Sequence, residues 1–129
     1  MGKLHHVPGE QCTSGTAQTS GMTRLAALSG DTVGSHAIWM GETHVEPGVA
    51  SGPHHHGESE TGIYIVSGHP EFIYLEDGRE VRLRTKPGDY IYVPPFVHHI
   101  ESNAHSEDEA VVVIARSTQE AIVENVERL

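Results

Sequence analysis

From Met22 onward the chain alternates short apolar runs with turn-forming residues. Residues 22–28 and 35–45 read as the first strands, and the runs 62–66, 72–75, 80–85 and 90–93 follow. Pro47-Gly48, Ser67-Gly68, Asp77-Gly78 and Pro87-Gly88 punctuate them, and Asp77-Gly78 between two apolar runs predicts a tight hairpin. Val81, Leu83 and Thr85 alternate with Arg82 and Arg84, as in a strand with one wet face. The run 110–115 is wholly apolar and predicts a central strand. Ser117 and Glu120 make a capping box, and Ile122, Val123, Val126 and Leu129 recur at helical spacing, which predicts a C-terminal helix over 117–129. Residues 1–21 are mostly small and polar and read as an arm. The expected organisation is an N-terminal arm at 1–21, an all-β barrel at 22–116 and a short helix at 117–129.

At 129 residues the chain is expected to be one domain, large enough to bury a core without disulfides. Eight Lys and Arg against eighteen Asp and Glu give a net charge of −10, which argues against nucleic acid or an anionic membrane as partner. Cys12 is the single cysteine, so neither a disulfide framework nor a cysteine-rich zinc module can form within the chain. No apolar run approaches the roughly 18 residues that span a bilayer, and no signal-peptide pattern opens the chain, so a cytoplasmic protein is expected.

The candidate chemistry lies in two histidine clusters. His54, His55 and His56 follow Gly48, and His98 and His99 follow Pro94-Pro95. In an extended segment His54 and His56 face one way and His55 the other, so the first pair can chelate one ion while a third ligand comes from His98 or His99. Taken alone, three consecutive histidines read equally well as an exposed loop. The second cluster makes a mononuclear site the better reading.

Gly48-x5-His54-x-His56-x3-Glu60, ending near Gly68, resembles the first motif of the cupin family, and Gly88-x5-Pro94-x-Phe96-x2-His99-x3-Asn103 resembles the second. The resemblance covers residues 48–103. It implies an antiparallel jelly-roll barrel with one divalent transition metal near its mouth, namely iron, manganese, nickel, copper or zinc, and a homodimer. It also implies His99 as the third histidine ligand. Counting forward from His56 places Glu60 in the carboxylate position, whereas counting back from Gly68 places Thr61 there. The expected ligand set is therefore His54, His56, Glu60 and His99, with a β-bulge bringing Glu60 inward; the alternative keeps three histidines and puts Thr61 in the carboxylate's place. Phe96 stands where the family has glycine and is expected to wall a substrate pocket.

His44 and Glu46 read as a surface strand end, His5 and His6 as solvated, and Glu58 as an unsuitable ligand beyond Gly57. Of the large rings, Trp39, Tyr64, Tyr74, Tyr90 and Tyr92 read as core or sheet surface, while Ile63, Ile65, Ile91 and Val93 read as barrel filling. The functional expectation is a metal-dependent enzyme, dioxygenase-like, acting on a small organic molecule. A Lewis-acid isomerase or cyclase and a non-catalytic metal- or metabolite-binding protein are the alternatives.

Overall fold

The computed structural model describes residues 2–119 and 122–129. Its strands are β1 Met22–Leu28, β2 Trp39–Val45, β3 His54–His55, β4 Thr61–Ser67, β5 Glu71–Glu76, β6 Arg79–Arg84, β7 Tyr90–Val93, β8 Ile100–Ser102, β9 Ala110–Arg116 and β10 Glu124–Asn125. All of their pairings are antiparallel. A one-turn helix, α1 Gly30–Val33, lies between β1 and β2 and is closed by a capping box between Ser29 and Thr32. Strand β2 accordingly starts at Trp39 rather than at residue 35.

Five strands form the larger sheet in the order β1-β2-β9-β4-β7, with the apolar run of β9 at its centre. Alternate residues of β2 and β9 are buried, and their inner faces meet those of β1, β4 and β7 in one cluster of Ala26, Trp39, Ile63, Ile65, Val93, Val112 and Ile114. Phe72 enters this cluster from the smaller sheet, β6-β5-β8. The β5–β6 hairpin turns at Asp77 and Gly78, both at positive φ (51° and 78°), as a two-residue turn of this hand requires. Tyr64, Tyr90 and Tyr92 point out of the larger sheet, leaving Trp39 and Phe72 as the buried rings.

Strand β3 is only two residues long and pairs with β10 in a two-stranded sheet, and isolated backbone bridges tie this segment to the smaller sheet. His54 and His99 form a two-way backbone bridge, and Ala50 and Ser102 form another. Asn103 secures the end of this layer, its amide donating to the carbonyls of Val45, Glu46 and Asp108 at 3.1, 3.2 and 2.8 Å. The N-terminal arm lies along its own chain. Thr13 and Ala26 exchange backbone hydrogen bonds, and the Gln18 amide bonds both the N–H and the carbonyl of Arg24 at 2.8 Å.

The expected C-terminal helix does not form among the described residues. Residues 122–129 contain no helical turn, and β10 pairs Glu124 with His55 and Asn125 with His54. Glu120 of the expected capping box lies outside the described residues. The helical spacing of four apolar residues is a weak preference, and here the chain satisfies its backbone against β3 instead, with Val126 N–H donating to the Pro53 carbonyl at 3.0 Å.

Candidate metal centre

Three histidines meet at one end of the smaller sheet. His54 and His99 are held opposite each other by their backbone bridge, and His56 returns to the same side two residues after His54. The ring centroids are 4.4 Å apart for His54 and His99, and 5.0 Å for each pair involving His56. One ligand atom from each ring lies within 4.8 Å of the others, close enough for one ion to draw all three into its coordination sphere.

Each ring is oriented through its other nitrogen. Nδ1 of His54 contacts the Gly52 carbonyl at 2.8 Å, that of His56 the Ile122 carbonyl at 2.8 Å, and that of His99 the Val97 carbonyl at 3.0 Å. A carbonyl only accepts, so each Nδ1 carries the proton and each Nε2 lone pair is free for a metal. Burial lowers all three pKa values, to about 3 for His56 and about 4 for His99, with neighbouring positive charge adding to the effect. The rings are therefore neutral near pH 7, the state that binds a cation. The donor set fits a divalent transition metal.

Glu60 is not brought to this cluster. Its carboxylate accepts from the Tyr92 hydroxyl at 2.7 Å on the exposed side of the chain, while Thr61, the first residue of β4, is buried on the inner face. The register irregularity in β4 lies between Ile65 and Ser67, too far along the strand to turn Glu60 inward. Glu58 is exposed.

Phe96 is not among the walls of the cavity beside His99. It is 62% exposed and sits at φ +62°, the left-handed backbone that suits the glycine it replaces, with its ring leaning on His55. A cavity of about 370 Å³ opens instead beside His99, with Phe72, Ile73, Tyr74, Val93 and Val97 among its walls.

His55 turns away from the cluster but is still buried, stacked at 5.3 Å on His98 and paired at 3.1 Å with Glu124 of β10. The C-terminal segment lies across this side and fits closely because residue 57 is glycine. A Cβ there would come within 2.9 Å of the Ile122 side chain. His44 bonds Glu42 and Glu109 on the outer surface.

Several groups around the centre went unnoticed in the sequence. Arg24, Glu101 and Arg116 are buried, and the Ile122 carbonyl orients His56. Strand parity held the signal for the charged three: Arg116 follows Ala110, Val112 and Ile114 on one face, Arg24 lies between Met22 and Ala26, and Glu101 is two residues from His99.

The family model of the cupin domain matches residues 41–115, and the chain belongs to this family. Among solved structures, oxalate decarboxylase from Bacillus subtilis superposes with a TM-score of 0.72 and 21% identity, covering 84% of this chain and 28% of that one. A structure from work on the Mn(II) centres of the same enzyme gives 0.72 at 20% identity, over 86% of this chain and 29% of that one. Oxalate oxidase in complex with glycolate gives 0.70 at 16% identity, over 84% and 57%. The chain thus spans between 28% and 57% of the length of these relatives, and at such identities the likeness is one of fold. No curated protein sequence matches the chain.

Acidification should destabilise the metal-free protein. Below pH 6.5 the unfolded chain takes up protons that buried His54, His56 and His99 resist, His99 down to about pH 4 and His56 to about pH 3, so stability falls with pH across that window. Glu101, raised by burial from 4.5 to about 7, acts in the opposite sense between those values but offsets only one of the three. The unfolding free energy from urea titration is expected to drop between pH 6.5 and 4.5, by on the order of 1.4 kcal/mol per pH unit for each uncompensated histidine, and a flat or rising value would contradict this. Removal of residues 122–129 takes away the carbonyl that orients His56. It should weaken metal binding by roughly 10- to 100-fold in a competitive chelator titration, while near-wild-type affinity would show that His56 needs no such support.

Proposed function

We propose that this cupin binds one divalent transition metal on His54, His56 and His99 and is a metal-dependent, dioxygenase-like enzyme acting on a small chelating organic molecule such as an enol or diketone. The observation that carries this reading is the meeting of three neutral, oriented imidazoles with a largely apolar cavity that has His99 in its wall. Three protein ligands leave coordination positions open, and a metal there would supply Lewis acidity and a place for dioxygen or substrate oxygens. Phe72, Ile73, Val93 and Val97 would hold the carbon skeleton and exclude water. Thr61 occupies the inward position that a carboxylate ligand would need, so Glu60 has no place in the proposed ligand set.

The solved relatives support metal chemistry on small organic molecules, since one is studied for its Mn(II) centres and another holds glycolate. The apolar cavity walls favour a larger carbon skeleton than oxalate. A second reading, a Lewis-acid isomerase or cyclase, draws on the same three histidines and open coordination positions, used without dioxygen. A cytoplasmic homodimer completes the proposal. The exposed rings of Tyr64, Tyr90 and Tyr92 on the outer face of β4 and β7 support an interface there.

Protein purified without added metal is expected to contain about one metal equivalent per chain by elemental analysis. His54→Ala and His99→Ala should lose most of it, and Glu60→Ala should retain it. Wild-type protein without stoichiometric metal would overturn the site, and loss of metal in Glu60→Ala would return the carboxylate to the ligand set. With pentane-2,4-dione as substrate, oxygen uptake that disappears in His56→Ala supports the dioxygenase reading; conversion without oxygen uptake supports the second. A dimer mass is expected by light scattering, and a monomer mass would remove the interface.

A further inference from the structure

A buried polar atom left without a hydrogen bond costs about 1–3 kcal/mol, so such atoms are few and each calls for a reason. Two of them here are neighbours. Thr61 on β4 and Arg116 on β9 are directly paired across the sheet, and the same row continues to Trp39 on β2 and to Val93 on β7. All four side chains therefore lie on the inner face. Thr61 is 2% exposed and Arg116 4%, yet Thr61 Oγ1 and Arg116 Nη1 have no hydrogen-bond partner among the described residues. The Arg116 guanidinium carbon lies over the Trp39 ring, 4.3 Å from its centroid, a contact that leaves the hydrogen-bonding capacity of Nη1 unused. Arg116 takes no part in the ion pairs formed among the described residues.

Charge leads to the same place. Arg24 is also buried on the inner face, near enough for its charge to act on His54, Glu101 and Arg116, and Arg116 in turn acts on His56. In a metal-loaded protein, two guanidiniums and a divalent ion would face, among the described residues, the one buried carboxylate of Glu101. Uncompensated positive charge at such depth is costly unless an anion joins it. The chain as a whole carries −10, so it does not attract anions in general, and any preference for one must be local.

We propose that Arg116 and Thr61 form a carboxylate clamp, and that the enol- or ketone-bearing small molecule taken at the histidine centre also carries a single carboxylate on an apolar body. Its carboxylate accepts hydrogen bonds from Arg116 Nη1 and Thr61 Oγ1. Its hydrocarbon part occupies the neighbouring cavity, which begins at Val93, the next residue in the same row. The predominantly aliphatic and aromatic walls favour a hydrocarbon body over a second carboxylate. This assignment of substrate class rests on the reading of His54, His56 and His99 as a metal site, although the clamp itself is built of other residues.

The test is calorimetric titration with 4-methylpentanoate and its uncharged isostere 4-methylpentanamide, on metal-loaded and metal-free protein, for wild type, Arg116→Met, Arg116→Lys and Thr61→Val. Wild type should bind the acid at least about tenfold more tightly than the amide in both forms, the scale of a charge-assisted hydrogen bond. Arg116→Met should lose that preference, Arg116→Lys should keep part of it, and Thr61→Val should weaken acid binding severalfold, with metal content unchanged in all three. Equal binding of acid and amide, no binding of the acid, or a preference that survives in Arg116→Met would each overturn the clamp. Should the wild-type protein hold no metal, the three-histidine reading fails on its own, and the metal-free titrations still decide the clamp.

Discussion

The two backbone hydrogen bonds between His54 and His99, at 3.0 and 2.9 Å, are the constraint on which the rest of the centre depends. They join strands that are 45 residues apart in the chain, and because directly opposed residues of an antiparallel pair share a face, they also place both rings on the same side. His56 then needs no separate device to arrive, since it lies two residues along the same extended segment. A two-residue strand is too short to hold itself. It is stabilised on one side by this bridge and on the other by β10.

The C-terminal segment therefore does more than close the fold. It supplies the carbonyl that fixes the His56 tautomer and the carboxylate that meets His55. The three consecutive histidines are divided between two environments by strand parity alone. Two face the candidate metal position, and the middle one packs with His98 beneath the C-terminal strand. A helix in that region would have left His55 open and the His56 Nδ1 without its acceptor.

The inner face of the larger sheet changes character along its length. Toward the middle it is aliphatic, with Ile63, Ile65, Val112 and Ile114. At the histidine end the row Trp39, Arg116, Thr61 and Val93 introduces polar atoms into an otherwise apolar lining. Such polar atoms weaken a core, and the proposed clamp gives them a use in binding that packing does not.

Much of the molecule was legible in the chain itself. Turn residues and alternation located the long strands, because period-two burial leaves its mark on every strand with one wet face, and the Asp77-Gly78 hairpin followed from turn chemistry. The spacing around His54, His56 and His99 anticipated the cluster, since ligands on extended segments obey parity. What only the tertiary structure decided is where parity starts and which segment covers which. The switch from loop to strand between Glu60 and Thr61 sends the first residue outward and the second inward, and no local pattern marks it. In the final eight residues Glu124 and Asn125 pair with β3 where a helix was expected, because β3 offered unpaired backbone groups, and the cavity beside His99 is lined by Val97, whereas Phe96 sits exposed in left-handed backbone. Local preference in these places is worth a few tenths of a kcal/mol per residue, on the order of one hydrogen bond or less, so the long-range partner prevails.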